Sequence, residues 1–386
     1  MFRPPLLPAA WLLAAAWLGP FFPALAQEKP PLWLSFTGDL MAHSINYRME
    51  DYSRIYAPLG RLFWEDDLTF TNVEFPMDPS RGMSTFPVFN IHPSYLGAFI
   101  DAGADVLSLA NNHTGDAGPS SLRATAASVR ALAEEAGRPL YFSGIESPGL
   151  GTDRLGGYPV TAFTYRGWRI GFIALSQYSN APVESGSLFL LNYDNAAACR
   201  RFLEELKAIR PGYDLFIVSY HGGVEYATRP QQAQVDFYRS LAAAGADIVW
   251  GQHSHVLQPV EILETSPGPS YGIIFYSLGN FLSGQGRIID ETLPEEDWSY
   301  TGDSAVFQIR VVPAGAPGAA GEVLRPSVSE VKPIAIANYM NPNREILLYL
   351  LEDLADLPLP PPWDEFYRER RRIMRDFFAR NIRKVE

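Results

Sequence analysis

Five times in this chain a short apolar run stops at a residue able to bind a metal or move a proton, and that recurrence limits the fold more than anything else in the sequence. Leu32–Thr37 ends at Gly38-Asp39, and Leu68–Val73 ends at Glu74. Asp105–Ala110 ends at Asn111-Asn112-His113, and Asp214–Tyr220 at His221-Gly222-Gly223. Ala246–Trp250 runs into Gly251-Gln252-His253-Ser254-His255. Runs of this length, with β-branched and aromatic residues, read as buried strands. Between several of them lie helical patterns over Ser94–Ala102, Ser120–Ala136, Asn195–Ile209 and Gln232–Ala244. Strand, polar end and helix in alternation argue for βα units and a mainly parallel sheet. In such sheets ligands bind beyond the carboxyl ends of the strands, where these polar residues fall.

One HxH is an ordinary loop feature, but residues at i and i+2 of an extended or loop segment can face the same way, so His253 and His255 can share one target. Joined to Asp39, Glu74, Asn112 and His221, they form a set of oxygen and imidazole donors without sulfur. Such a set suits one or two divalent ions of the manganese, iron or zinc type. Gly38 before Asp39 is expected to permit a sharp turn. His113 is the candidate for proton transfer, and His43, Glu225 and Asn280 are candidates for substrate contact. His92, before Pro93, is assigned to a turn.

Composition narrows the chemistry. The 386 residues are 47% hydrophobic, enough for a substantial core, and carry a net charge of −12. An acidic surface does not gather nucleic acid, and an anionic substrate would need local cations to recruit it. Cys199 is the only cysteine, which excludes an internal disulfide and a multi-thiolate zinc site. Residues 1–26 read as a secretory signal peptide: Arg3, an apolar run through Leu12–Trp17, and Ala24-Leu25-Ala26 before Gln27. The expected location is therefore periplasmic or extracellular, with membrane association if the signal stays uncleaved.

Beyond the HxH, paired strands are expected at Val260–Leu263 and Gly272–Ser277, and further strands at Ala305–Val312 and Val328–Ile336. Residues 284–303 read as an insertion loop and Pro313–Gly321 as a linker. Residues 27–340 form the expected main domain. Residues 341–386 form a helical extension, with helices at Asn343–Asp356 and from Trp363 onward.

Gly38-Asp39, Asn72-Val73-Glu74-Phe75-Pro76, Ala110-Asn111-Asn112-His113 with Asp116, and His221-Gly222-Gly223-Val224-Glu225-Tyr226 occur in that order. They are followed by Gly251-Gln252-His253-Ser254-His255 and Tyr276-Ser277-Leu278-Gly279-Asn280-Phe281. From about residue 32 to 285 this series resembles the CapA family of bacterial capsule, or poly-γ-glutamate, biosynthesis proteins, a branch of the calcineurin-like metallophosphoesterases. The resemblance implies a four-layer αββα sandwich with two mixed sheets. It implies Asp39, Asn112, His221, His253 and His255 as metal ligands, Glu74 in the bridging position and His113 as general acid. The superfamily's Asp-x-His is here Asp39-Leu40-Met41, without the histidine. The implied partners are an anionic polymer or phosphoester and a membrane synthase, with either hydrolysis or non-catalytic polymer binding and export as the role.

Overall fold

The computed structural model describes residues 29–147, 149, 151–264, 270–285, 301–313 and 326–385. The signal segment, residues 286–300 of the insertion loop and most of the 313–321 linker lie outside them. The first strand, β1 (Leu32–Leu40), leads through one-turn helices α1 (Ser44–Tyr47) and α2 (Ser53–Tyr56) to β2 (Leu68–Val73). Then come α3 (Pro93–Ala102), β3 (Ala104–Ser108), α4 (Pro119–Ala136) and β4 (Tyr141–Ser143). A small ribbon, β5 (Arg154–Leu155) with β6 (Tyr158–Pro159), precedes the hairpin of β7 (Thr161–Tyr165) and β8 (Trp168–Ser176). The alternation resumes with α5 (Ala196–Ile209), β9 (Leu215–His221), α6 (Gln232–Ala244) and β10 (Ile248–Gln252). Next are β11 (Val260–Glu264), β12 (Ser270–Phe275), β13 (Asn280–Leu282), β14 (Asp303–Val312) and β15 (Ser327–Met340). Finally β16 (Ile346–Leu350), α7 (Leu351–Leu354), α8 (Trp363–Asn381) and β17 (Ile382–Val385) complete the described chain.

These strands make the two mixed sheets that the family resemblance implies, where the run pattern alone suggested one mainly parallel sheet. The first runs β16-β15-β14-β1-β2-β3-β4 with β13 beside β1, and the second β17-β11-β12-β10-β9-β8-β7. Each has a parallel centre, β1 to β4 and β8-β9-β10-β12, flanked by antiparallel strands. The sheets pack face to face through an aromatic layer. Phe36 stacks on Phe70 at 4.6 Å, and both meet Trp250 edge-on at 5.7 and 6.2 Å. Fully buried Trp250 also donates its indole N–H to the Thr37 carbonyl across the layer, at 3.0 Å. A large aromatic whose one polar atom is satisfied contributes area and fixes the facing of the sheets at once.

Register then decides where the polar ends lie. Asp39 aligns with Asn72 and Asn280 in the first sheet, and His221 with Gln252 and Ser176 in the second. Both parallel centres therefore end on the same rim. Gly38 serves differently from the expected turn: β1 continues through it to Leu40. A Cβ there would lie 1.9 Å from the Gly279 carbonyl oxygen, the atom that accepts the Asp39 amide at 2.9 Å. Glycine is required for close backbone approach. Gly38→Ala is expected to push β13 off β1 and weaken metal binding, measured by metal titration against the parent protein.

The C-terminal stretch departs from the helical expectation. Residues 346–350 form a strand on β15, and α7 spans only Leu351–Leu354. After α8, β17 adds to the edge of the second sheet beside β11. On α8, Tyr367, Arg370 and Met374 are buried, Phe378 packs on Phe307, and Arg370 pairs with Asp303. Most of its other arginines pair with acidic neighbours, so the helix packs on the core as an ion-paired surface element. The α5 cap is Asn195, which accepts the Ala198 amide at 3.1 Å. Among the described residues no helix is long and apolar enough to cross a membrane.

Candidate metal centre

The five strand ends converge. Asp39 Oδ1 accepts from Asn72 Nδ2 at 2.8 Å, and Asp39 Oδ2 lies 3.2 Å from His255 Nδ1. Glu74, held by its amide on the Leu40 carbonyl, places Oε1 3.6 Å from His221 Nε2 and 3.8 Å from His255 Nε2. His221 Nε2 lies 2.8 Å from Asn112 Oδ1 and 3.1 Å from His253 Nδ1. Asp39, Glu74, Asn112, His113, His221, His253 and His255 are all buried.

The local backbone explains the convergence at the HxH. His253 and His255 both have positive φ, 96° and 59°, so of the extended or loop backbone expected the motif takes a tight loop. Non-glycine residues held there cost about 1–3 kcal/mol each and persist where the surroundings require them. Two imidazoles are thereby turned toward the same acidic groups.

Two donor triads share one residue. Glu74, His221 and His253 offer ligand atoms within 4.8 Å of one another, as do Asp39, Glu74 and His255. Glu74 Oε1 is buried and has no hydrogen-bond partner. An unpaired buried carboxylate oxygen is costly unless a cation meets it. These oxygen and imidazole donors could hold a divalent metal ion, and Glu74 belongs to both triads.

Other candidates divide. His113 Nδ1 lies 2.7 Å from Asp116 Oδ2, which also accepts the Phe89 amide at 2.9 Å, and its ring packs edge-on against Phe89. His43 Nδ1 accepts the Gly284 amide at 3.0 Å, and its ring meets the other side of the cluster through Phe89. Asn280, a substrate-contact candidate, accepts at Oδ1 from His255 Nδ1 at 3.0 Å and so orients that ring. Glu225 brings an exposed carboxylate to the cluster rim. His92 stays apart as the cap of α3. Three roles escaped the sequence. Asn72 lies inside an apolar run, though its i+2 spacing to Glu74 placed both on one face; Asp116 follows His113 by three residues; Tyr178, whose hydroxyl is 3.0 Å from His253 Nε2, carried no sequence signal.

Residues 33–285 match the family described as bacterial capsule synthesis protein PGA_cap. The chain belongs to that family. It is 27% identical over 356 residues to a capsule biosynthesis protein, CapA, of Bacillus anthracis, covering 87% of this chain and 78% of that one. It is 36% identical over 107 residues to the PGA biosynthesis protein CapA of Bacillus subtilis, covering 28% of this chain and 24% of that one. A probable polyglutamine synthesis accessory protein of Mycobacterium tuberculosis matches at 32% over 197 residues, 46% of this chain and 47% of its own length.

Electrostatics prepare the cluster for cations. Burial, then the charge of His255, takes His253 down to about 3, and burial with His253 holds His221 well below the usual histidine range. Both rings are neutral donors at neutral pH. Burial and Asp39 push Glu74 well above the carboxylate range. Burial lowers His255, but Glu74, Asp39 and Glu225 together outweigh it and raise the ring to about 9. Protons on Glu74 and His255 therefore compete with metal. Metal affinity is expected to climb as pH rises toward 9 and then level, with proton release visible by calorimetry in buffers of different ionisation heat. Without metal, His255 has the opposite sign. Its folded pKa lies above the unfolded 6.5, so its stabilisation is full below 6.5 and is lost as pH rises through 9.

Proposed function

We propose that this chain is an exported, metal-dependent hydrolase of capsule or cell-envelope polymer metabolism, acting on a phosphoester or on poly-γ-glutamate. The observation that carries the proposal is Glu74 Oε1, buried, unpartnered and nearly equidistant from His221 Nε2 and His255 Nε2. A divalent cation bound there supplies Lewis acidity and charge neutralisation at a reacting phosphoryl or acyl centre. The chain's own groups supply the rest. Asp116 fixes the His113 ring by accepting from Nδ1, which leaves Nε2 to give a proton to a leaving oxygen or nitrogen. Asn72 and Asn280 hold Asp39 and His255 in place.

Export is supported by the signal-type sequence of residues 1–26, and a polymer substrate by the names of the capsule and PGA relatives. The Mycobacterium relative's name, a synthesis accessory protein, favours an accessory role in polymer synthesis. The test is turnover by the manganese-loaded chain on a generic phosphodiester and on poly-γ-glutamate. Hydrolysis of either supports the reading. No turnover on either, with polymer retention that needs His253 and His255, would replace it with a binding and export role.

A further inference from the structure

The triad of Asp39, Glu74 and His255 offers three donors where a tetrahedral ion takes four. Asn280 cannot complete it as placed, because its Oδ1 already meets His255 Nδ1 at 3.0 Å. Glu225 belongs to a third triad instead: one of its carboxylate oxygens and ring nitrogens of both His253 and His255 lie within 4.8 Å of one another, so a small inward shift places all three on one ion.

The chain around Glu225 is built to hold it there. Directly after the ligand-bearing His221, Gly223 takes φ of 119° and gives its amide to Gln177 Oε1 at 2.9 Å. Tyr226, at φ of 63°, donates its amide to the Ser254 carbonyl at 2.7 Å, which ties this loop to the residue between the two histidines. The Tyr226 hydroxyl accepts from Gln285 Nε2 at 3.2 Å, and its ring lies 6.0 Å from the His255 ring. Glu225 thus sits between a strand end that carries one ligand and a loop that carries two. Unlike Asp39 and Glu74, it faces solvent.

We infer that Glu225 is a metal ligand, the solvent-side carboxylate that joins His253 and His255 at one ion position. This rests on the reading of the buried cluster as a metal centre. Its exposure also makes Glu225 the ligand nearest an incoming anion, and so the one most readily displaced.

The test is equilibrium dialysis of the full chain against graded manganese, with bound metal read by mass spectrometry. Glu225→Gln and Glu225→Ala are expected to lose one equivalent or to bind the weaker ion roughly 10–100-fold less tightly, the loss typical of even an outer-sphere partner. Glu65→Gln removes the same charge from an exposed position near the other end of β2 and should bind like the parent. Melting in EDTA should be the same for all four proteins, since Glu225 is exposed and its role needs metal. Stoichiometry and affinity equal to the parent's in both Glu225 variants would overturn the assignment. A parent that binds no manganese would overturn the metal centre itself, a result distinct from variants that bind as the parent does.

Discussion

Replacing His113 by Ala is expected to lower turnover about 10²–10⁴-fold while bound metal stays at the parent level, the range for loss of a positioned proton donor. The geometry separates His113 from the ligands: its Nδ1 is committed to Asp116 at 2.7 Å, and it belongs to neither buried triad. Asp116→Asn tests the same arrangement from behind. An amide can donate to Nδ1, which would place the ring proton on Nε2 permanently and remove its acid–base cycle. Activity should fall with metal content intact. A His113→Ala protein that loses its metal would make His113 a ligand instead.

Arg210→Ala is expected to destabilise the chain by about 3–5 kcal/mol, the usual cost of stripping one partner from a buried ion pair. Arg210 and Asp247 are 3% and 2% exposed. The guanidinium reaches both carboxylate oxygens, at 3.0 and 2.8 Å, and also the Gly245 and Tyr213 carbonyls. Asp247 Oδ2 accepts the Phe216 amide as well, at 2.7 Å, so the pair pins the entry of β10 to the entry of β9. Truncating Arg210 leaves a buried negative charge and two carbonyls short of donors. The melting temperature should fall by about 4–7 °C. The double variant Arg210→Met, Asp247→Leu should lose less than the sum of the single losses, because no lone charge remains. A single-variant loss below about 1 kcal/mol would contradict this account of the β9–β10 junction.

The parallel centres and the site were legible because each buried strand ends abruptly in a polar residue, a contrast that burial on both faces makes unavoidable. Asp39, Glu74, His113, His221, His253 and His255 all announced themselves in that way. Asn72 did not, because it sits within an apolar run and its role depends on lying beside Asp39 in register. Gly38 drew attention for the wrong reason, since only the structure shows the Gly279 carbonyl packed against it. The HxH was legible only as an extended or loop segment, because sequence does not report φ. Ile346-Leu-Leu-Tyr-Leu was misread as helix because leucine suits helices and its strand partner, β15, is recognisable only once the first sheet is assembled. Glu225 was singled out for substrate contact, and its approach to His253 and His255 depends on a loop conformation that no pattern encodes.

The central claim is that these strand ends form a metal centre, and metal content tests it most directly. The full chain, purified after manganese or zinc supplementation and dialysed, should retain one to two divalent ions, and Glu74→Gln should retain fewer, because the shared oxygen donor is lost. A parent protein that holds no divalent ion under metal-replete conditions would contradict the account.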